Sequence, residues 1–176
     1  RDPGLAARLV AEHRPRILVL NAGATPAAAT LSEHTWKTFS ANWHTDVQHV
    51  FHFAQAALRL PLDPGSTVIS LSSGAARQGS PLSGGYAGAK ATVSFISAYA
   101  GAESARAGLG VRFTALLPKL TPATSLGSTF VDAYAGYGGI ARETYLEGFG
   151  PVLSPDHVAE AVLRLAAGPA TDAPAY

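Results

Sequence analysis

Apolar positions along this chain recur with two periods. Leu5, Leu9 and Val10 fall at helical spacing, and Pro15 closes that helix. The run Ile17-Leu18-Val19-Leu20 that follows is short, apolar and bounded by the turn residues Asn21 to Ala24, which predicts a buried strand. From about Ser32 to Leu60, Trp36, Phe39, Trp43, Val47, Val50, Phe51, Ala54 and Leu58 recur every three or four positions, predicting a long helix with room for one break. Pro61 to Gly65 stop it. The segment TVISL, 67–71, predicts a second strand, Ser72 to Gly84 a loop of small residues, and 85–107 another helix. A third strand, Val111 to Leu117, ends at Pro118, and weaker helical patterns occupy 128–135 and 141–147. Ser154-Pro155-Asp156 sets a capping serine, a proline in the first helical position and an acid near the helix dipole, predicting a last helix to about Ala167.

Helices alternate with short strands that lack clean polar alternation and so are expected to be covered on both faces. That order predicts an α/β fold, a doubly wound parallel sheet in three layers, α/β/α, with right-handed crossovers. With 176 residues and 47% apolar content, residues 1–176 are expected to form one domain with a real core. Thirteen basic and twelve acidic residues leave a formal charge of +1 with no Lys/Arg run, which argues against nucleic acid and against an anionic membrane surface as partners. The absence of cysteine excludes disulfides, thiolate metal sites and cysteine nucleophiles, and suits a cytoplasmic location. No stretch reaches eighteen uninterrupted apolar residues, so a soluble chain is expected. His49 and His52 stand three apart on a helix, but no third ligand accompanies them, and no metal is assigned.

Candidate chemistry concentrates in TVISLSSGAARQGSPLSGGYAGAKAT, 67–92, where a strand ends in serines and Tyr86 and Lys90 lie four apart on the next helix. That spacing puts both on one helix face. A phenol of ordinary pKa about 10 is a poor base at neutral pH, and a neighbouring ammonium is expected to lower it. Ser73, delivered at the carboxyl end of its strand, could hydrogen-bond a substrate oxygen while Tyr86 exchanges a proton with it. As a hydrolase nucleophile Ser73 lacks the G-x-S-x-G elbow and a histidine in a motif context.

The serine pair after a strand, the thirteen positions from Ser73 to Tyr86, YAGAK as a tyrosine-x-x-x-lysine motif and the strand-end LNAG, Leu20 to Gly23, together resemble the short-chain dehydrogenase/reductase family. The resemblance covers essentially the whole chain, from the helix before that family's fourth strand to the start of its seventh. It implies a Rossmann-like fold and an oxidoreductase moving a hydride between NAD or NADP and a small-molecule carbonyl or alcohol. Ser73, Tyr86, Lys90 and Asp46 are the implied catalytic set; Asn21, Ala22, Gly23, Tyr86, Lys90, Pro118 and Thr121 are the implied cofactor contacts. It also implies a homo-oligomer, dimer or tetramer, through helical faces. The family's glycine-rich turn and coenzyme-selecting residue are not within these residues; Arg1 stands where Met would, and the chain closes on a turn-like PATDAPAY. The chain is therefore expected to be N-terminally truncated and to lack the first strands and the last, leaving Ile17–Leu20 as an association-prone edge.

Two further departures matter. The family's fourth catalytic residue is an asparagine on the long helix; counting back from AQAAL, Ala54 to Leu58, puts Asp46 there, with Asn42 one turn earlier as the alternative occupant. Asp46 could pair with Lys90, and its charge would oppose a lowered Tyr86 pKa. After the third strand the family carries proline-glycine and a threonine, whereas here Lys119 follows Pro118, with Thr121 and Thr124 as hydroxyl candidates. The competing reading is a non-catalytic scaffold of the same family acting through a helical dimer face.

Overall fold

The computed structural model describes residues 2, 4–149 and 151–168; the predicted turn at PATDAPAY lies outside them. The described elements are α1 (Leu5–His13), β1 (Ile17–Leu20), α2 (Trp36–Phe39), α3 (Gln48–Arg59), β2 (Thr67–Leu71), α4 (Gly84–Arg106), β3 (Arg112–Leu116), α5 (Ser125–Gly138), α6 (Arg142–Glu147) and α7 (Pro155–Ala167). The strands form a parallel three-stranded sheet in the order β1-β2-β3, with Ile17 opposite Thr67 and Thr67 opposite Arg112.

Spatial order equals chain order, so two right-handed crossovers put α3 and α4 on the same face of the sheet. Alternation along the strands shows it: Val68 and Phe113 join Val50, Ala57, Val93 and Ala100 in the core beneath these helices, and Ser70 accepts a hydrogen bond from Ser97 of α4 at 3.0 Å. Thr67 and Arg112 point to the other face, where the Arg112 guanidinium donates to the Thr67 hydroxyl and to the Gly168 carbonyl after α7. The result is the doubly wound α/β/α arrangement expected from the sequence.

The long helix expected over 32–60 has the break that its pattern leaves room for: α2 ends at Phe39, a π-helical turn spans Trp43–Val47, and only then does α3 begin. In that turn the Val47 amide donates to the Asn42 carbonyl five residues back, which widens it. β2 is buried through Ser70, whereas in β1, which the apolar run alone predicts as buried, Ile17 and Val19 are 50% and 41% exposed, as expected of an edge. No described helix is long and apolar enough to cross a membrane.

Because the strands are parallel, their carboxyl ends share one edge. The loops after β1, β2 and β3 therefore converge there, and the Gly74 amide ties two of them together through the Pro118 carbonyl at 2.8 Å.

Candidate active site

At that edge lies a cleft of about 1020 Å³. Asn21, Gly23, Asp46, Ser73, Tyr86, Lys90, Pro118 and Thr121 all line it, so of the implied catalytic and cofactor residues all but Ala22 are brought to one place. The Ala22 backbone lies by the His49 ring and opposes the fall in its pKa that burial causes.

Tyr86 and Lys90 are placed by how α4 starts. Gly84 has φ +49, a left-handed conformation that glycine adopts without cost, and a Cβ there would come within 2.4 Å of the His34 ring. A Cβ on Gly85 would lie 1.9 Å from the Phe39 carbonyl oxygen, so only glycine lets α2 and α4 approach this closely. The Trp43 indole closes the contact by donating to the Gly85 carbonyl at 3.2 Å. The glycines before Tyr86 are thus packing devices. Ser72 belongs to the same scaffold, since its hydroxyl donates to the Lys90 backbone carbonyl at 2.7 Å. Ser73 is free of that duty; its oxygen accepts only from the Ala75 amide, at 3.2 Å, among the described hydrogen bonds.

The π-helical turn turns Asp46 inward. Its Oδ1 accepts from the Ala24 amide at 2.9 Å and from the Asn42 amide group at 3.2 Å, and its Oδ2 lies 3.0 Å from the Lys90 ammonium. The side chains of Lys90 and Asp46 are only 9% and 2% exposed. Both occupants weighed from the sequence are therefore used: Asp46 makes the ion pair, and Asn42 braces it while donating to the Ala24 carbonyl at 2.7 Å. Gly23 is part of the same contact, since a Cβ there would come within 2.9 Å of Asp46 Oδ2.

This pairing overturns the expectation that Lys90 lowers the Tyr86 pKa. Lys90 Nζ sits 5.6 Å from the Tyr86 ring centre but directs its charge at Asp46 and a hydrogen bond at the Leu71 carbonyl, 2.9 Å away. Burial pushes the Tyr86 phenol above its ordinary value; interaction with the Ser73 hydroxyl opposes this, and the charge of Asp46 adds to the rise. At neutral pH Tyr86 is a protonated donor. An ammonium has three N–H bonds; one goes to the Leu71 carbonyl and Asp46 stands beside it as an ion-pair partner, so donor capacity remains for a ligand hydroxyl in the cleft.

The hydroxyl candidates after β3 differ in availability. Thr124 caps α5, accepting from the Gly127 amide at 2.9 Å, and its own proton goes to the Thr121 carbonyl. Thr121 donates to the Lys119 carbonyl at 3.1 Å and lines the cleft. Sequence reasoning missed the opposite wall, where Phe130, Tyr134, Tyr145 and Phe149 line the cleft. A signal was present, since each pair stands four apart on a helical pattern.

A sequence model described as enoyl-(acyl carrier protein) reductase matches residues 5–171. No curated protein matches the chain in sequence. Among solved structures, a short chain dehydrogenase family protein from Francisella tularensis superposes with a TM-score of 0.79 at 17% identity, covering 94% of this chain and 69% of that one. NAD+-bound xylitol dehydrogenase gives 0.78 at 15% identity, covering 94% and 68%. A 3-ketoacyl-(acyl-carrier-protein) reductase from Brucella melitensis complexed with NADH gives 0.68 at 20% identity, covering 93% of this chain and 64% of that one. The chain thus spans about two thirds of the length of these structures.

Proposed function

Since this chain belongs to the short-chain dehydrogenase/reductase family, we propose that it forms the catalytic face of an oxidoreductase that interconverts a carbonyl and an alcohol with NAD or NADP. The observation that carries this reading is the joint exposure of Ser73, Tyr86 and Lys90 to one cleft at the carboxyl edge of the sheet. A nicotinamide cofactor bound there would supply or accept the hydride.

The chain's own residues account for the proton and the orientation. Tyr86, protonated at neutral pH, donates its hydrogen to the carbonyl oxygen as that oxygen gains charge. Ser73 donates a hydrogen bond to the same oxygen, stabilising the developing negative charge and fixing the reacting carbon. Lys90 would hold a ribose hydroxyl of the cofactor through an ammonium N–H, and Asn21, Gly23, Pro118 and Thr121 border the same cleft. Asp46 acts as a positioning residue: it pairs with the ammonium, and its charge adds to the rise of the phenol pKa that burial causes.

The test is reduction of simple ketones and aldehydes by NADH or NADPH, followed through the absorbance of the reduced nicotinamide. Tyr86→Phe should lower turnover by about two to four orders of magnitude, the range of general acid catalysis. Unchanged turnover would exclude the proton-donor role.

A homo-oligomer is part of this reading, supported by the exposed Phe51 of α3 and by Phe95 and Tyr99 of α4, which stack at 6.0 Å on the surface. The same apolar surface favours the second reading, a non-catalytic scaffold working through that face. Absence of any fluorescence change when NADH and NADPH are titrated into the protein would select the scaffold.

A further inference from the structure

A chain of aromatic rings leads away from Tyr86 along one wall of the cleft. The Tyr86 and Phe130 ring centres are 6.4 Å apart, Phe130 and Tyr134 5.9 Å, Tyr134 and Tyr145 5.8 Å, and Tyr145 and Phe149 5.1 Å. Phe130 and Tyr134 come from α5, while Tyr145 belongs to α6 and Phe149 follows it, so the strip depends on how these helices are docked.

That docking is held. Arg142, at the start of α6, pairs with Asp132 of α5 and donates to the Ser128 hydroxyl at 3.2 Å. The Tyr134 hydroxyl is bound to Ser80, whose oxygen lies 2.9 Å from Ser83 just before α4. The strip is therefore braced against the element that carries Tyr86. Tying the Tyr134 hydroxyl to Ser80 fixes the ring where it lines the cleft, packed between Phe130 and Tyr145.

Charge on the cleft is sparse. The charged residues lining it are Asp46, Lys90 and Lys119, and the first two neutralise each other. A phosphorylated or carboxylated substrate would find one exposed lysine in place of a bidentate clamp. Along the aromatic wall, a polyol would lose water at its hydroxyls and meet rings that cannot replace those hydrogen bonds, although hydroxyls and amides line other parts of the cleft.

We propose that this site takes an uncharged ketone, or the matching alcohol, whose carbonyl carries a planar aromatic body lying along the strip of Phe130, Tyr134, Tyr145 and Phe149. The rings hold a flat apolar body by burial and by offset or edge contacts, and successive spacings of about one ring suit a fused bicyclic or larger group. The assignment of the carbonyl to Tyr86 rests on the function proposed above; the binding of the aromatic body rests on the wall alone.

The experiment titrates the protein with acetonaphthone, with an aliphatic methyl ketone of similar carbon count and with dihydroxyacetone, using calorimetry or saturation-transfer NMR. Acetonaphthone should bind at least about tenfold more tightly than either competitor. Tyr145→Leu, which keeps an apolar side chain without the ring, should weaken it about tenfold, and Tyr145→Phe should keep parental affinity. Circular dichroism establishes that each variant is folded, and Phe149→Leu provides the same reading if Tyr145→Leu is not. Equal or tighter binding of the aliphatic ketone or dihydroxyacetone overturns the proposal, as does parental affinity in Tyr145→Leu. The two readings separate cleanly. Tight acetonaphthone binding with no turnover on reduced nicotinamide leaves the aromatic wall standing and removes the oxidoreductase role; turnover of dihydroxyacetone without affinity for acetonaphthone does the reverse.

Discussion

Replacing Asp46 by asparagine removes one charge and almost no volume. In the folded chain that charge lies 3.0 Å from the Lys90 ammonium, with both groups out of water. Their direct attraction is roughly 5.5 kcal/mol at an effective dielectric of about 20. Burying both ions offsets part of this, yet removing a single partner strands the other, at a typical cost of about 3–5 kcal/mol. Asparagine can keep the Ala24 and Asn42 hydrogen bonds at Oδ1, and Lys90 keeps the Leu71 carbonyl, so the lower end of that range applies. For a chain of this size about 3 kcal/mol corresponds to a melting temperature lower by roughly 6–12 °C, measurable by circular dichroism. The same substitution removes a charge that holds the Tyr86 phenol up and releases an ammonium beside its ring. The Tyr86 pKa should fall, read by tyrosine-ring carbon NMR against Tyr86→Phe, and the alkaline limb of the reduction rate should move to lower pH. A melting temperature within about 1 °C of the parent, with an unmoved Tyr86 titration, would refute the argument that this ion pair governs the site.

Other outcomes follow from single contacts. Gly23→Ala sets a Cβ 2.9 Å from Asp46 Oδ2 and should cost about 1–3 kcal/mol; combining it with Asp46→Ala should recover part of that loss in a double-mutant cycle of thermal melts. Gly85→Ala drives a methyl into the Phe39 carbonyl and should destabilise the chain by at least about 2 kcal/mol in urea unfolding, with the α2–α4 contact opening first by hydrogen exchange. The raised Tyr86 pKa means the folded state holds that proton more tightly than the unfolded chain. Its stabilising contribution is therefore complete below the unfolded value of about 10 and is lost as pH rises through the folded value, so Tyr86→Phe should flatten the alkaline decline in melting temperature. The half-exposed Ile17 and Val19 on the outermost strand should make this 176-residue chain self-associate, and Val19→Lys should shift its sedimentation toward the monomer.

Features governed by a short-range rule were legible in the sequence. The strands Ile17–Leu20 and Thr67–Leu71 and the helix capped by Ser154 stand where apolar runs and cap chemistry put them. The approach of Ser73, Tyr86 and Lys90 was also readable, because helical period and strand-end position determine it. Features depending on contact between distant segments were not. The π-helical turn that aims Asp46 inward is not a property of WHTDV alone; it follows the docking of Trp43 on Gly85 and of Asn42 on Ala24. The aromatic strip needs α6 laid against α5 by Arg142, and a helical pattern four residues apart does not say which neighbour it faces.

The same distinction explains why the Tyr86 pKa was misjudged in direction. Spacing fixes distance between Tyr86 and Lys90, but the effect of a charge depends on what else consumes it. Lys90 spends its charge on a carboxylate that a different helix brings within 3.0 Å, and burial then dominates the phenol. Within the proposed reaction this is a working state, because a carbonyl being reduced needs a proton donor, and a buried phenol beside a neutralised lysine holds its proton until negative charge appears on the substrate oxygen. Asp46 therefore acts on the site at one remove, by pairing with Lys90 and by adding its charge to what holds the Tyr86 proton.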